Sequence, residues 1–117
     1  MPTFETWDIV KVPFPYTDRP VRQRRPALVV ARESTDAPSG LLWVLMITSA
    51  ENRGWFGDVA ISDLAQSGLP AASIVRTAKI ATIESADAEH LGVLLPLDCS
   101  KVAANLRGLL AQALNTP

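Results

Sequence analysis

Up to Ile83 the chain consists of short β-type runs separated by proline and glycine, and the apolar spacing changes to three- and four-residue steps only after Asp98. This order restricts the fold more than any other feature. The first run, residues 7–14 (WDIVKVPF), sets Trp7, Ile9 and Lys11 on one side and Asp8, Val10, Val12 and Phe14 on the other. Pro13, Pro15 and Pro20 end it, because a fixed φ and a missing N–H break a ladder, so residues 15–24 are expected as an exposed arginine-rich loop. Arg25-Pro26 opens a second strand, and residues 27–31 read as buried. Asp36, Pro38, Ser39 and Gly40 mark a turn, and residues 42–48 resume the β pattern. A polar loop, residues 51–57 (ENRGWFG), leads to a short strand at 58–61. Ser62 is expected to cap one helical turn that Gly68 and Pro70 end, and residues 73–83 form the longest strand, with Ile74, Arg76, Ala78 and Ile80 opposite Val75, Thr77 and Lys79.

At the C-terminus Asp98 is the expected N-cap of an amphipathic helix with Val102, Leu106, Leu109, Leu110 and Ala113 on its apolar side. About five short strands and one final helix make a mainly β fold, a small barrel with a helical end, in one domain spanning residues 1–117.

Counting excludes several chemistries. With one cysteine (Cys99) and one histidine (His90), neither a zinc site of the usual Cys/His type nor a histidine-pair acid–base mechanism can be assembled, and no intrachain disulfide is possible. No metal and no cofactor are therefore expected. Cys99 reads as a packing residue and His90 as a surface or helix-end residue. No basic stretch followed by an apolar run marks the N-terminus, and the longest apolar run, residues 41–47, is too short for a bilayer, so a cytoplasmic protein without membrane contact is expected. Net charge is −1, yet Lys11, Arg19, Arg22, Arg24, Arg25 and Arg32 concentrate six of the 11 basic residues in the first third of the chain.

One series of short motifs spans nearly the whole chain: Asp8-Ile9-Val10 with Pro13-Phe14-Pro15, then Arg25-Pro26-Ala27-Leu28-Val29-Val30, Ile47-Thr48-Ser49, and Ile74-Val75-Arg76 with Lys79. In order and spacing this series resembles the MazF/PemK toxins of bacterial toxin–antitoxin systems. The resemblance implies a dimeric SH3-like barrel of about five to seven strands and a sequence-selective endoribonuclease that cleaves single-stranded RNA. It further implies an antitoxin as protein partner. The matching family positions place Arg25 and Thr48 in the catalytic role. Around them Arg22, Arg24, Ser49, Arg53, Trp55, Arg76 and Lys79 are expected to contact RNA. The chain departs from some family members at two places, holding Pro20 near the position of a first-loop acid and Ala78 where an Asp follows the arginine of the fifth strand.

The chemistry suits these residue types. RNA brings its own nucleophile in the 2′-OH, so a protein has only to orient and neutralise the phosphate, for which a guanidinium fork is well shaped and permanently charged. Pro26 holds the backbone of Arg25 extended. With no carboxylate at the two family positions, Arg25 is expected to serve both charge stabilisation and proton transfer, and the Thr48 hydroxyl to reach the same phosphate. Two readings stay open for Arg76, pairing with an acid on a neighbouring strand or touching RNA phosphate. Trp55 and Phe56 either stack on unpaired bases or cap the core. Apolar surface around Trp43, Leu45 and the final helix suggests a homodimer, with Arg22, Arg24 and Arg25 lining an RNA groove that an acidic antitoxin segment would occupy. A noncatalytic small-barrel module binding nucleic acid or protein through the same basic loop is the alternative.

Overall fold

The computed structural model describes residues 3–14, 23–33 and 40–115. The expected loop around Arg19, Pro20 and Arg22 and the expected turn up to Ser39 lie outside the described residues. Six strands form one antiparallel sheet: β1 (Asp8–Pro13), β2 (Arg24–Arg32), β3 (Leu41–Ser49), β4 (Asp58–Ala60), β5 (Ser73–Glu84) and β6 (Glu89–Val93), in the spatial order β4-β5-β3-β2-β1-β6. Among the described residues a one-turn helix, α1 (Leu64–Ser67), a long C-terminal helix, α2 (Pro96–Leu114), and two 3₁₀ turns accompany the sheet. The mainly β fold with a terminal helix is thus as the sequence reads.

The central strands bury side chains on both faces of the sheet. Ile9, Leu28, Leu45 and Ile47 join Val59, Val75, Leu94 and Val102 in one apolar cluster, while Val10, Val12, Phe14, Ala27, Val29, Leu42 and Val44 form a second. Strict alternation between inward apolar and outward polar residues is therefore absent from β1 to β3, and the run at 27–31 reads as buried for that reason. Register shifts at Ile9/Val10, Val29/Ala31 and Leu45/Met46 bend the sheet around its contents.

The hydrogen-bonded ladder does not close, since β4 and β6 are its two edges. The chain that leaves β4 instead forms α1, which lies against β6 and spans the seam. This approach requires glycine on both sides: a Cβ on Gly68, at φ +74°, would strike the Leu91 carbonyl, and one on Gly92 would strike the carbonyls of Gln66 and Ser67.

Four local expectations are corrected. Residue 7 does not belong to the first strand: Trp7 has φ 80° in a turn closed by Asp8 N–H donating to the Glu5 carbonyl (3.1 Å), with its own N–H on Val29. His90 is a surface residue as expected, but at no helix end: it lies on β6, an edge strand whose Glu, His and Gly content hides its β character. Asp63, not Ser62, caps α1 by accepting from Gln66 N–H (3.1 Å). Finally, α2 begins at Pro96, which is preset for a first helical position, with Leu95 as N-cap. Asp98 therefore falls inside the first turn, where it is fully buried and accepts from the backbone N–H and hydroxyl of Ser62, both at 2.8 Å. The positive end of the helix dipole favours that carboxylate.

Only the first half of α2 packs. Val102 is buried and Cys99 and Leu106 pack against the same cluster, whereas Leu109, Leu110 and Leu114 are exposed. Burial and the Asp98 charge raise the Cys99 thiol above its ordinary pKa, which keeps it an unreactive thiol at neutral pH.

These contacts set opposite expectations for two glycines. Gly92→Ala should lower stability by about 1–3 kcal/mol through overpacking against α1. Gly108→Ala, in a helix with open space around it, should raise stability by about 0.5–1 kcal/mol. Denaturant midpoints of the two variants, compared with the parent, check both signs.

Candidate active site

Register and period two bring the candidate residues together. The last matched pair of the β2–β3 ladder is Ala27 with Met46. Two residues further along each strand stand Arg25 and Thr48, at the same end of the sheet. They also share a face, because Ala27 and Val29 on β2, and Val44 and Met46 on β3, all belong to or pack on the second cluster. Arg76 on β5 is matched with Met46 and so projects from this face as well.

Arg25 is half-buried. Its Nη2 donates to Gln23 Oε1 (2.8 Å), but its Nε is enclosed and has no hydrogen-bond partner among the described residues. Such an orphaned donor costs about 1–3 kcal/mol. The neighbouring Arg24 points to the opposite face and is occupied: it donates to the carbonyls of Lys11 (3.2 Å) and Asp87 (3.3 Å) and lies 3.9 Å from Glu89.

At the end of β3 the chain enters a 3₁₀ turn, Ala50–Asn52, capped by the Ser49 hydroxyl, which accepts from Glu51 N–H (3.3 Å). The turn brings Asn52 back over the strand end, where its Nδ2 donates to Thr48 Oγ1 (3.0 Å). Arg53 is exposed and donates to the Ala50 carbonyl (3.3 Å).

Of the two readings of Arg76, pairing with an acid describes the structure. Arg76 and Asp58, with side chains 7% and 9% exposed, form a two-pronged ion pair, Nε to Oδ1 at 3.2 Å and Nη2 to Oδ2 at 3.0 Å. Nη2 also donates to the Asn52 carbonyl (2.6 Å). Asp58 in turn accepts from the N–H groups of Gly54 (3.2 Å) and Trp55 (3.1 Å), so one carboxylate ties the loop to the sheet. Burial pushes this carboxyl up, but the hydrogen bonds from Arg76, Trp55 and Gly54 and the Arg76 charge outweigh it and hold its pKa below the ordinary 3.8.

Trp55 does not cap the core. Half-exposed, it lies over the Arg76 guanidinium, 4.3 Å from ring centroid to Cζ, with the Lys79 ammonium 6.0 Å away. Phe56 is 94% exposed. Between Leu45 and Met46 the match on β5 jumps from Ile80 to Arg76, leaving residues 77–79 as a bulge. The bulge turns Thr77 inward to donate to the Gly57 carbonyl (2.7 Å), which also accepts from Asn105 of α2 (2.9 Å).

The structure thus gathers Arg25, Thr48, Arg76 and Trp55 at one end of the sheet with Lys79 beside the ring, and turns Arg24 away. Among the described residues no group of three or more His, Cys, Asp or Glu is placed to hold a metal ion, and no helix is long and apolar enough to cross a membrane.

The family profile of PemK-like, MazF-like toxins of type II toxin–antitoxin systems matches residues 5–110. The chain belongs to this family. No curated protein sequence matches it. Among solved structures, MazF from Deinococcus radiodurans is similar with a TM-score of 0.71 and 23% identity, covering 92% of this chain and 96% of that one. The MazE–MazF complex from the same organism gives 0.68 and 23%, covering 91% and 93%. An endoribonuclease in complex with its cognate antitoxin from a mycobacterial species gives 0.70 and 16%, covering 98% and 100%. At these identities the likeness is one of fold.

For a MazF-like toxin, sequence reasoning missed Gln23, Asn52 and Asp58. The acid that pairs with Arg76 was not identifiable because β4 has three residues and carries too little pattern to fix its register. Asn52 offered no signal at all, since its role depends on a turn that folds back on Thr48.

The Asp58–Arg76 pair generates a pH expectation. A carboxyl held below 3.8 when folded contributes stability that is fully present above that value and is lost as pH falls through the lowered one. Asp58→Asn should cost about 3–5 kcal/mol at neutral pH by leaving a buried guanidinium uncompensated. The deficit relative to the parent should shrink in acid, as read by denaturant titrations between neutrality and strong acid.

Proposed function

We propose that this MazF-like toxin is a sequence-selective, metal-independent endoribonuclease of single-stranded RNA. The 2′-oxygen attacks the adjacent phosphorus, the bond to the 5′-oxygen breaks, and the products are a 2′,3′-cyclic phosphate and a free 5′-hydroxyl. The observation that supports this reading best is Arg25: a guanidinium with an enclosed, unpartnered Nε, at the same end and on the same face of the sheet as Thr48. Arg24 and Arg76 are satisfied by protein groups, whereas among the described residues Arg25 keeps one guanidinium N–H without a protein partner.

In this mechanism the 2′-hydroxyl proton passes to water as the 2′-oxygen attacks, Arg25 stays protonated and neutralises the dianionic phosphorane through its N–H groups, the departing 5′-oxygen takes its proton from water, and Thr48 donates its hydroxyl hydrogen bond to a nonbridging oxygen. The Trp55 indole, held from below by Arg76, offers a face for an unpaired base. Ser49, Arg53 and Lys79 border this end of the sheet and meet the RNA backbone, whereas Arg24 is turned to the opposite face and Arg22 lies outside the described residues. Asp58 is no general base in this mechanism, because its side chain is only 9% exposed and its oxygens accept from Arg76 and from the Gly54 and Trp55 N–H groups.

The proposal extends to partners. Two copies pair through the apolar groove of about 380 Å³ between the sheet and α2, lined by Trp43, Ile80, Leu106, Leu109 and Leu110. Leu45, counted with this surface from sequence, is fully buried, and Ile80 takes its place at 52% exposure. A cognate antitoxin binds with an acidic segment over Arg25 and its neighbours, in the cytoplasm where the RNA is.

Incubation with mixed-sequence RNA and EDTA should yield discrete fragments ending in cyclic phosphate. Arg25→Ala should lose at least about a hundredfold in cleavage rate with its melting unchanged, and Arg25→Lys should fail similarly because a point charge cannot reproduce a planar fork. Cleavage by a correctly folded Arg25→Ala protein would remove this residue from the mechanism. Light scattering should report twice the monomer mass, and Ile80→Glu should reduce it to one.

A further inference from the structure

We infer that Asn52 is a positioning residue that sets the direction of the Thr48 hydroxyl hydrogen. The inference rests on the endoribonuclease reading above and goes beyond it in naming a residue outside the catalytic pair.

A threonine hydroxyl has one hydrogen to give and two lone pairs, and it rotates toward whatever partner is available. Unassisted, Thr48 would divide its hydrogen between water, nearby carbonyls and substrate. The Asn52 amide removes that choice: its Nδ2 donates to Oγ1 at 3.0 Å, so that side of the oxygen acts as acceptor and the hydroxyl hydrogen is directed away from Asn52. The remaining directions include the face shared with Arg25.

Asn52 can do this because its backbone is held at a second point. Arg76 Nη2 donates to the Asn52 carbonyl at 2.6 Å, and Arg76 is fixed by its two-pronged pairing with Asp58. The turn is also closed by Arg53 N–H on the Ala50 carbonyl (3.3 Å) and capped by Ser49. A relay thus runs from the buried ion pair through the Asn52 backbone and side chain to Thr48. This explains why Arg76, on the same face as Thr48, is committed to protein partners: it anchors the group that orients the hydroxyl. Asn52 is exposed and belongs to neither apolar cluster, so its replacement separates orientation from stability.

The test is a double-mutant cycle on Thr48→Ala and Asn52→Ala, with RNA cleavage as readout and thermal melting as control. Asn52→Ala should melt with the parent, bind a non-cleavable 2′-deoxy substrate analogue within about twofold, and lose about tenfold or more in kcat, the scale expected when a catalytic hydrogen bond loses its alignment. In the Thr48→Ala background the same substitution should do nothing further, because there is no hydroxyl left to orient. Asn52→Asp should be worse than Asn52→Ala, since a carboxylate accepts the Thr48 hydrogen and withdraws it from substrate. An unchanged kcat in Asn52→Ala, or losses that multiply in the double variant, would overturn the positioning role while leaving the activity in place. A parent protein that leaves RNA intact would instead remove the endoribonuclease reading, and this inference with it.

Discussion

A sheet that is apolar on both faces needs a second layer on each, and among the described residues one long helix is there to supply it. The fold therefore covers one cluster with α2 and bends the sheet, through three register shifts, around the other. The edges β4 and β6 stay unpaired, and the chain that leaves β4 forms α1, pressed so closely onto β6 that Gly68 and Gly92 have no room for a side chain. Everything at the functional end follows from this geometry, because β2, β3 and β5 present their ends there together.

At that end the structure treats its arginines unequally. Arg76 is buried against Asp58, where desolvation is offset only by multiple well-directed hydrogen bonds, and a pair of this kind adds little net stability over an apolar substitute. Its value is geometric. It holds the loop from Asn52 to Trp55 in one arrangement, with the indole over the guanidinium and the Asn52 amide on Thr48. Arg25, in contrast, retains among the described residues a guanidinium N–H without a protein partner.

Much of this was legible beforehand, for identifiable reasons. Pro26 marked Arg25 as the start of a strand, and the apolar run after it required burial on both faces. Thr48 was visible as the polar end of β3. The faces of β5 were not, because alternation breaks where Ile74, Val75, Arg76 and Thr77 are all buried in succession. The bulge responsible is set by partners on other strands. The helix start was misread because Asp98 has the right chemistry for an N-cap and is used instead by Ser62, a contact across 36 positions that no local pattern encodes.

By itself the sequence determined the β character of the first two thirds, the terminal helix, the local excess of positive charge and the family, because these depend on local periodicity, composition and the order of short motifs. Tertiary structure alone decided which arginine is held by a buried carboxylate, which carboxylate holds it, and how Asn52 meets Thr48. Those outcomes depend on strand register and on desolvation. A shift of one residue reverses every side chain to the other face, and a charge retains or loses its freedom according to what encloses it.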